Sequence, residues 1–144
     1  SMNKKFTSII VSIGILVSIL GSTSPISANS DYVYLTRSGS SLEVVRDYKD
    51  YDDVQWATYA SSCSFVGLPT NVFGSNYVVT RPYTINGTPG TKTSDTVTIS
   101  ALNTVYNQDY YSGYRGKGNI YRLYASLSSS SSSSSGGVTI DFVA

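Results

Sequence analysis

The sequence predicts an all-β fold, a small antiparallel β-sandwich of six to seven strands. Three observations lead there. Short runs rich in valine, threonine, isoleucine and tyrosine alternate apolar with polar residues, the period-two pattern of a half-buried strand. Breaks rich in glycine, serine and asparagine separate these runs. Only one stretch offers a helical alternative. At 144 residues the chain is long enough for one domain and too short for two.

The first strand is expected over "DYVYLTR" (31–37), with Val33 and Leu35 on one side and Tyr32, Tyr34 and Thr36 on the other. "SGSS" (38–41) ends it. The ambiguous stretch is "LEVVRDYKDYDDV" (42–54), which fits either one or two helical turns or an irregular strand with a bulge. In "VQWATYA" (54–60), Val54, Trp56, Thr58 and Ala60 share a face. "NYVVTRPYTI" (76–85) is β-branched and aromatic, and Pro82 puts an edge or a bend there. "NGTPG" (86–90) is the strongest turn, because asparagine and glycine tolerate positive φ and proline presets the next corner.

"DTVTISAL" (95–102) is expected as a strand with Val97, Ile99 and Ala101 inward, and "YRGKGN" (114–119) as a hairpin turn. "IYRLYASL" (120–127) and "VTIDFV" (138–143) are the last two strands. The serine-glycine run between them, within residues 128–137, cannot bury enough apolar surface to order itself. Lengthening a loop costs little closure entropy. The run therefore reads as a slack hairpin loop that returns Val138, Ile140 and Phe142 to pair beside Leu123, Ala125 and Leu127. On this reading residues 31–144 form a single domain. The layout is immunoglobulin-like in architecture only, since the Cys…Trp…Cys signature is missing.

Residues 1–30 read as an export signal. Asn3-Lys4-Lys5 is a short cationic start, residues 6–20 are an apolar core, and "GSTSPISANS" supplies breakers and small residues. Ser1 before Met2 looks like a cloning remnant. A membrane-spanning helix needs roughly 20 apolar residues, so a cleaved signal fits the core better than an uncleaved anchor. Cleavage is expected after Ala28 or, nearly as well placed, after Ser30. No cysteine follows the core, which excludes a lipoprotein anchor. Without Lys4 and Lys5 the exported chain holds eight Lys/Arg against nine Asp/Glu. That balance is no footprint for nucleic acid or a polybasic membrane contact. The expected localisation is extracellular, with no stable membrane span after cleavage.

The chemical inventory is short. Histidine is absent and Cys63 is the single cysteine. Together these exclude Ser-His-Asp and Cys-His catalysis, histidine-ligated zinc, thiolate clusters and CxxC redox chemistry. Cys63 has no internal disulfide partner, and its neighbours Phe65, Val66 and Leu68 mark it as a small buried hydrophobe. "GYRGKGN" could cradle a phosphate, but no helix N-terminus follows it and a basic turn explains it better. "DYKDYDD" packs Asp47, Asp50, Asp52 and Asp53 into seven residues. These four are a weak calcium candidate, and a solvated acidic turn is the simpler reading. Glu43 is the sole glutamate and no aspartate pair stands out, so a carboxylate-pair hydrolase has little support. No cofactor is implied, and the chain reads as a non-enzyme.

Tyrosine is the most suggestive residue, with thirteen in the chain and six within residues 106–124. Mixed with Gly, Ser, Asn and Arg, it suits a binding surface, because a tyrosine offers large amphipathic contact area at low entropic cost. Tyr110, Tyr111, Tyr114, Arg115 and Lys117 are the binding candidates. The plainer reading is that tyrosine is an ordinary strand residue whose hydroxyl reaches water from a half-buried sheet.

An MNKK-type start, "DYVYL", "VVRDYKDYDDVQWATYAS" and the ending "GNIYRLYASLSSS…SGGVTIDFV" resemble small secreted proteins of Gram-positive bacteria. These are uncharacterised proteins grouped with lactococcin-type bacteriocins, whose genes sit beside a bacteriocin-associated ABC transporter. The resemblance implies a secreted effector or accessory that meets a cell-envelope component or surface protein, and it transfers no catalytic residues. A carbohydrate- or wall-binding module is one alternative. A structural protein that self-associates through strand edges is the other.

Overall fold

The structure, a computed structural model, describes residues 28–37, 39–128 and 135–144. The proposed signal core and most of the serine run lie outside the described residues. Among the described residues there are eight strands: β1 (Asn29–Leu35), β2 (Leu42–Tyr48), β3 (Gln55–Phe65), β4 (Val78–Thr84), β5 (Val97–Ile99), β6 (Tyr106–Asp109), β7 (Ile120–Leu127) and β8 (Gly136–Val143). They form two four-stranded sheets, β1-β8-β3-β6 and β2-β7-β4-β5, with every strand pair antiparallel. The only other regular element among the described residues is a 3-10 turn, Ser112–Tyr114. The fold is the expected all-β sandwich. No helix of the described residues is long and apolar enough to cross a membrane.

The core follows from strand alternation. Val33 and Leu35 of β1, Trp56 and Ala60 of β3, and Val138, Ile140 and Phe142 of β8 face Val45 of β2, Val78 of β4 and Leu123, Ala125 and Leu127 of β7. Each large side chain so buried contributes about 1.5–3 kcal/mol. The Trp56 ring meets Phe142 edge-on at 5.9 Å, and its indole N–H donates to Ser94 Oγ at 2.7 Å, which satisfies the one polar atom it brings inside. Buried threonines are closed the same way: Thr58, Thr80 and Thr93 donate to the carbonyls of Asp141, Val97 and Pro82. Cys63 is buried in this core as a free thiol, and burial raises its pKa.

Several local expectations change. Residues 42–48 are strand, not helix, with a register shift between Glu43 and Val45 that turns both Val44 and Val45 inward. Pro82 lies inside β4 without breaking its pairing to β7. Its carbonyl accepts from Thr93 N–H, so its missing donor points away from β7, where β5 does not reach. The strand expected over 95–102 keeps only Val97–Ile99. Ala101 is exposed, because the chain then crosses to the first sheet, bridging Leu102 to Ala60 through Asn103 at φ 55°. It continues there as β6, a strand absent from the sequence reading.

Two loops expected as hairpins are crossovers. β6 and β7 belong to different sheets, so "YRGKGN" carries the chain from one layer to the other. β8 likewise pairs with β1 and β3, not with β7. Val138, Ile140 and Phe142 meet Leu123, Ala125 and Leu127 across the core rather than beside them in one sheet. β8 lies between β1 and β3 and is covered on both faces, with only one residue, Thr139, that is not buried. Its glycines give room for aromatic cover: a Cβ on Gly137 would strike the Tyr32 ring.

Candidate binding groove

β2, β4 and β7 all reach the same end of the second sheet, where Tyr48 pairs with Ile120 and Thr84 with Tyr121. Beyond these pairs lies a cleft of about 470 Å³ lined by Tyr48, Thr84–Asn86, Gly113, Tyr114 and Gly118–Tyr121. Its rim carries three exposed apolar side chains: Tyr48 (49%), Ile85 (43%) and Ile120 (40%). Exposed side chains of this size, gathered at one place, mark a contact surface more often than scattered ones do.

Both walls are fixed by the backbone. On one side Lys49 N–H donates to Asn119 O at 2.8 Å and Gly118 N–H to Lys49 O at 2.9 Å, extending the β2–β7 ladder past its last pair. Tyr121 Oη donates to Tyr114 O at 3.1 Å, and their rings meet edge-on at 6.4 Å. On the other side the buried Arg122 binds Thr84 O at 3.1 Å, Gly87 O, and Glu43 Oε1 at 3.2 Å. Thr84 and Thr91 close the loop base through two bonds, of 2.9 and 3.0 Å. Gly90, at φ 103°, brings its backbone so near Thr84 O that a Cβ would collide. Hydrogen bonds from Arg46 and then Arg122 hold Glu43 below the ordinary carboxylate range despite partial burial.

Behind the groove sits a polar cluster. Lys49 is buried, and its ammonium donates to the carbonyls of Tyr51 and Asp53 at 2.8 Å each while lying 5.0 Å from the Tyr110 ring centroid. Burial lowers its pKa to about 8, and Asp52 offsets this in part. Tyr110 packs on Tyr121 at 5.4 Å, and burial raises the pKa of both phenols.

Of the five binding candidates read from the sequence, one lines the groove. That residue is Tyr114. Tyr110 is 1% exposed and cannot serve as a surface contact, because its inward position in the chain's return to Val54 O sends the ring into the core. Tyr111 is exposed, but its hydroxyl donates to Asp95 at 2.6 Å, away from the cleft. Arg115 Nε is spent on Tyr110 O, and Lys117 is exposed with its N–H on Asp52.

The four aspartates do not converge. Asp47 is buried and accepts from Ala144 N–H and the Asn29 amide, which ties β2 to the ends of β1 and β8. Asp53 is buried, whereas Asp50 and Asp52 are exposed. Among the described residues no group of three acidic, cysteine or histidine side chains could hold a metal ion. Asp47 sits on β2 and is buried, and the other three follow in the loop before β3, where Asp53 turns inward and Asp50 and Asp52 face solvent, so the acidic run is split and did not become a cage.

Tyr48, Ile85, Asn86, Asn119, Ile120 and Tyr121 were missed as site residues. A faint trace existed: each lies beside a turn sequence, "DYKDYDD", "NGTPG" or "GKGN". Tyrosine is the only ionisable residue type in the lining. What the groove offers is flat apolar contact flanked by amides and hydroxyls. No family model matches the chain, and no curated protein or solved structure matches it either.

Proposed function

We propose that this is a secreted, non-enzymatic binding module that works at a bacterial cell envelope, and that the groove between Tyr48, Ile85 and Ile120 holds a segment of glycan. One observation carries the reading: the cleft combines aromatic and aliphatic walls with the Asn86 and Asn119 amides and has no acid–base pair. Sugar rings present apolar faces ringed by hydroxyls, and a rigid site of tyrosines and amides complements both. An effector or accessory role of the bacteriocin type, implied by the resemblance, would use such a module to reach its target surface.

Export is part of the proposal. The folded domain already uses Ala28, which packs against Tyr59 and Val143. It also uses Asn29, which donates to Arg46 O at 2.6 Å, and Ser30, which hydrogen-bonds the buried Asp141 carboxyl. Cleavage after Ala28 keeps both polar anchors, whereas cleavage after Ser30 strips them from the sheet edge.

The test is co-sedimentation of the secreted protein with purified Gram-positive walls and wall polysaccharide. Tyr48→Ala combined with Ile85→Ala is expected to weaken binding about tenfold or more with the fold intact by circular dichroism. Undiminished binding by that variant, or no binding by the unaltered protein, would overturn the proposal.

A further inference from the structure

The groove opens onto the outward face of the second sheet, and that face is ordered in rows by the strand register. The rim row is Tyr48 and Ile120. One row on, Arg46 stands opposite Arg122, Arg122 opposite Tyr83, and Tyr83 opposite Lys92. The next row is Glu43, Tyr124 and Arg81. Alternate residues on a strand are spaced by roughly 7 Å, so the rows advance from the groove in steps of that size.

Charge on this face is one-sided. Four of the eight Lys/Arg beyond Ser30 lie on it, with Glu43 as the one acid among these rows, although the exported chain as a whole is slightly negative. Glu43 is shared, bound by Arg46 Nε at 2.8 Å and Arg122 Nη1 at 3.2 Å. One carboxylate therefore offsets two guanidinium groups. Arg81 Nε is shielded from water and has no hydrogen-bond partner, and Lys92 is exposed. Asp95, beyond the edge of these rows, is engaged by the Tyr111 hydroxyl. Between the cations, Tyr83 and Tyr124 pack edge-on at 5.0 Å, and the Arg122 guanidinium lies 5.7 Å from the Tyr124 ring. Both tyrosines are half-buried, so beyond the Tyr48–Ile120 rim these two rows are flat.

Resting on the reading of the groove as a glycan site, we infer that the ligand is an anionic, phosphodiester-linked envelope polymer. Its polyol or sugar units occupy the groove, and its phosphates run out across the Arg46–Arg122–Lys92 row toward Arg81. Arginine suits this role because its planar fork of donors matches phosphate oxygens. Arg46, 55% exposed and tied only to Glu43, and the exposed Lys92 leave donors for an incoming anion, while the buried Arg122 supplies positive charge beneath the row. Charged rows that carry no projecting apolar side chain beyond the rim fit a polymer laid along them better than a bilayer entered by them.

The experiment measures affinity of the secreted protein for poly(glycerol phosphate) and for a phosphate-free wall polysaccharide, from about 50 to 200 mM salt. The unaltered protein is expected to prefer poly(glycerol phosphate), and that affinity falls as salt rises. Arg81→Gln combined with Lys92→Gln should lower it about tenfold and flatten its salt dependence, and Arg81→Lys should restore part of it. Salt-independent binding of the phosphate-free polysaccharide alone overturns this inference and leaves the groove reading standing. Binding of poly(glycerol phosphate) that the double variant does not reduce also overturns it, because the phosphates then lie elsewhere. Binding of neither polymer removes both readings together.

Discussion

The two ends of the sandwich are packed by different chemistry. At the end where β7 finishes and β8 begins, Phe65, Phe73, Leu35, Val78 and Leu127 join one apolar cluster, with Phe65 and Phe73 rings 5.4 Å apart. The few polar groups there bond locally, as in Asn71 with Cys63 and Asn76 with Phe73. At the groove end the interior holds Asp47, Lys49, Asp53 and the phenols of Tyr110 and Tyr121. One end maximises dispersion and burial. The other gives up apolar area to hold a cleft in shape, which is where a fold departs from its most stable packing when it has a site to build.

The largest break in that comparison comes from the apolar end. Phe65→Ala removes a ring that is 2% exposed and wedged against Phe73 and Gly136, and should cost about 3–5 kcal/mol in chemical denaturation. Groove binding should survive wherever the variant is folded, since no groove residue touches Phe65's end of the sheet. A loss below 1 kcal/mol would mean that this end is not the fold's main source of stability.

Much of the apolar end was legible in the sequence, and little of the groove end was. Val33/Leu35, Leu123/Ala125/Leu127 and Val138/Ile140/Phe142 announce themselves because a strand's two faces differ in polarity, and a period of two survives in the text of the chain. Sheet membership does not. Nothing local distinguishes a serine run that turns a hairpin from one that crosses between layers, and β8 went to the wrong sheet for that reason. The groove is assembled by register among residues that are far apart in sequence. Tyr48, Ile85 and Ile120 each look like ordinary strand-end hydrophobes until β2, β4 and β7 are aligned. Conversely, the densest tyrosine segment drew notice, yet its first member, Tyr110, is core.

Acid–base behaviour sharpens the contrast. Lys49 loses its proton near pH 8 in the folded chain, through burial, but holds it to about pH 10.4 once unfolded. Between those values the unfolded chain binds more protons, so this group makes stability rise with pH. Tyr59, Tyr110 and Tyr121 work the other way: burial raises their folded values, the unfolded phenols ionise first, and stability falls above about pH 10. Denaturation midpoints should therefore climb from pH 8, by up to about 3 kcal/mol, and turn down past pH 10. In Lys49→Met the climb should vanish while the downturn stays. If the unaltered protein shows no climb between pH 8 and 10 and runs parallel to Lys49→Met, the ammonium keeps its proton where it sits, held by the Tyr51 and Asp53 carbonyls and the Tyr110 face.

The smallest effect separates the sequence reading from the structural one most cleanly. Tyr110 Oη is buried without a hydrogen-bond partner, beside Tyr121 and within electrostatic reach of Asp47. An unsatisfied buried hydroxyl carries a desolvation cost, so Tyr110→Phe should leave stability unchanged or raise it by up to about 1 kcal/mol. The ring contacts with Tyr121 and Lys49 remain in that variant, and so do the backbone bonds from Tyr110 to Val54 and from Arg115. Wall binding should match that of the unaltered protein, because Tyr110 supports the groove from behind and does not line it. If tyrosine density alone marked the binding surface, the same substitution would weaken binding at constant stability. A drop in affinity without a drop in melting temperature would move the site from the Tyr48–Ile120 rim to the segment around Tyr110.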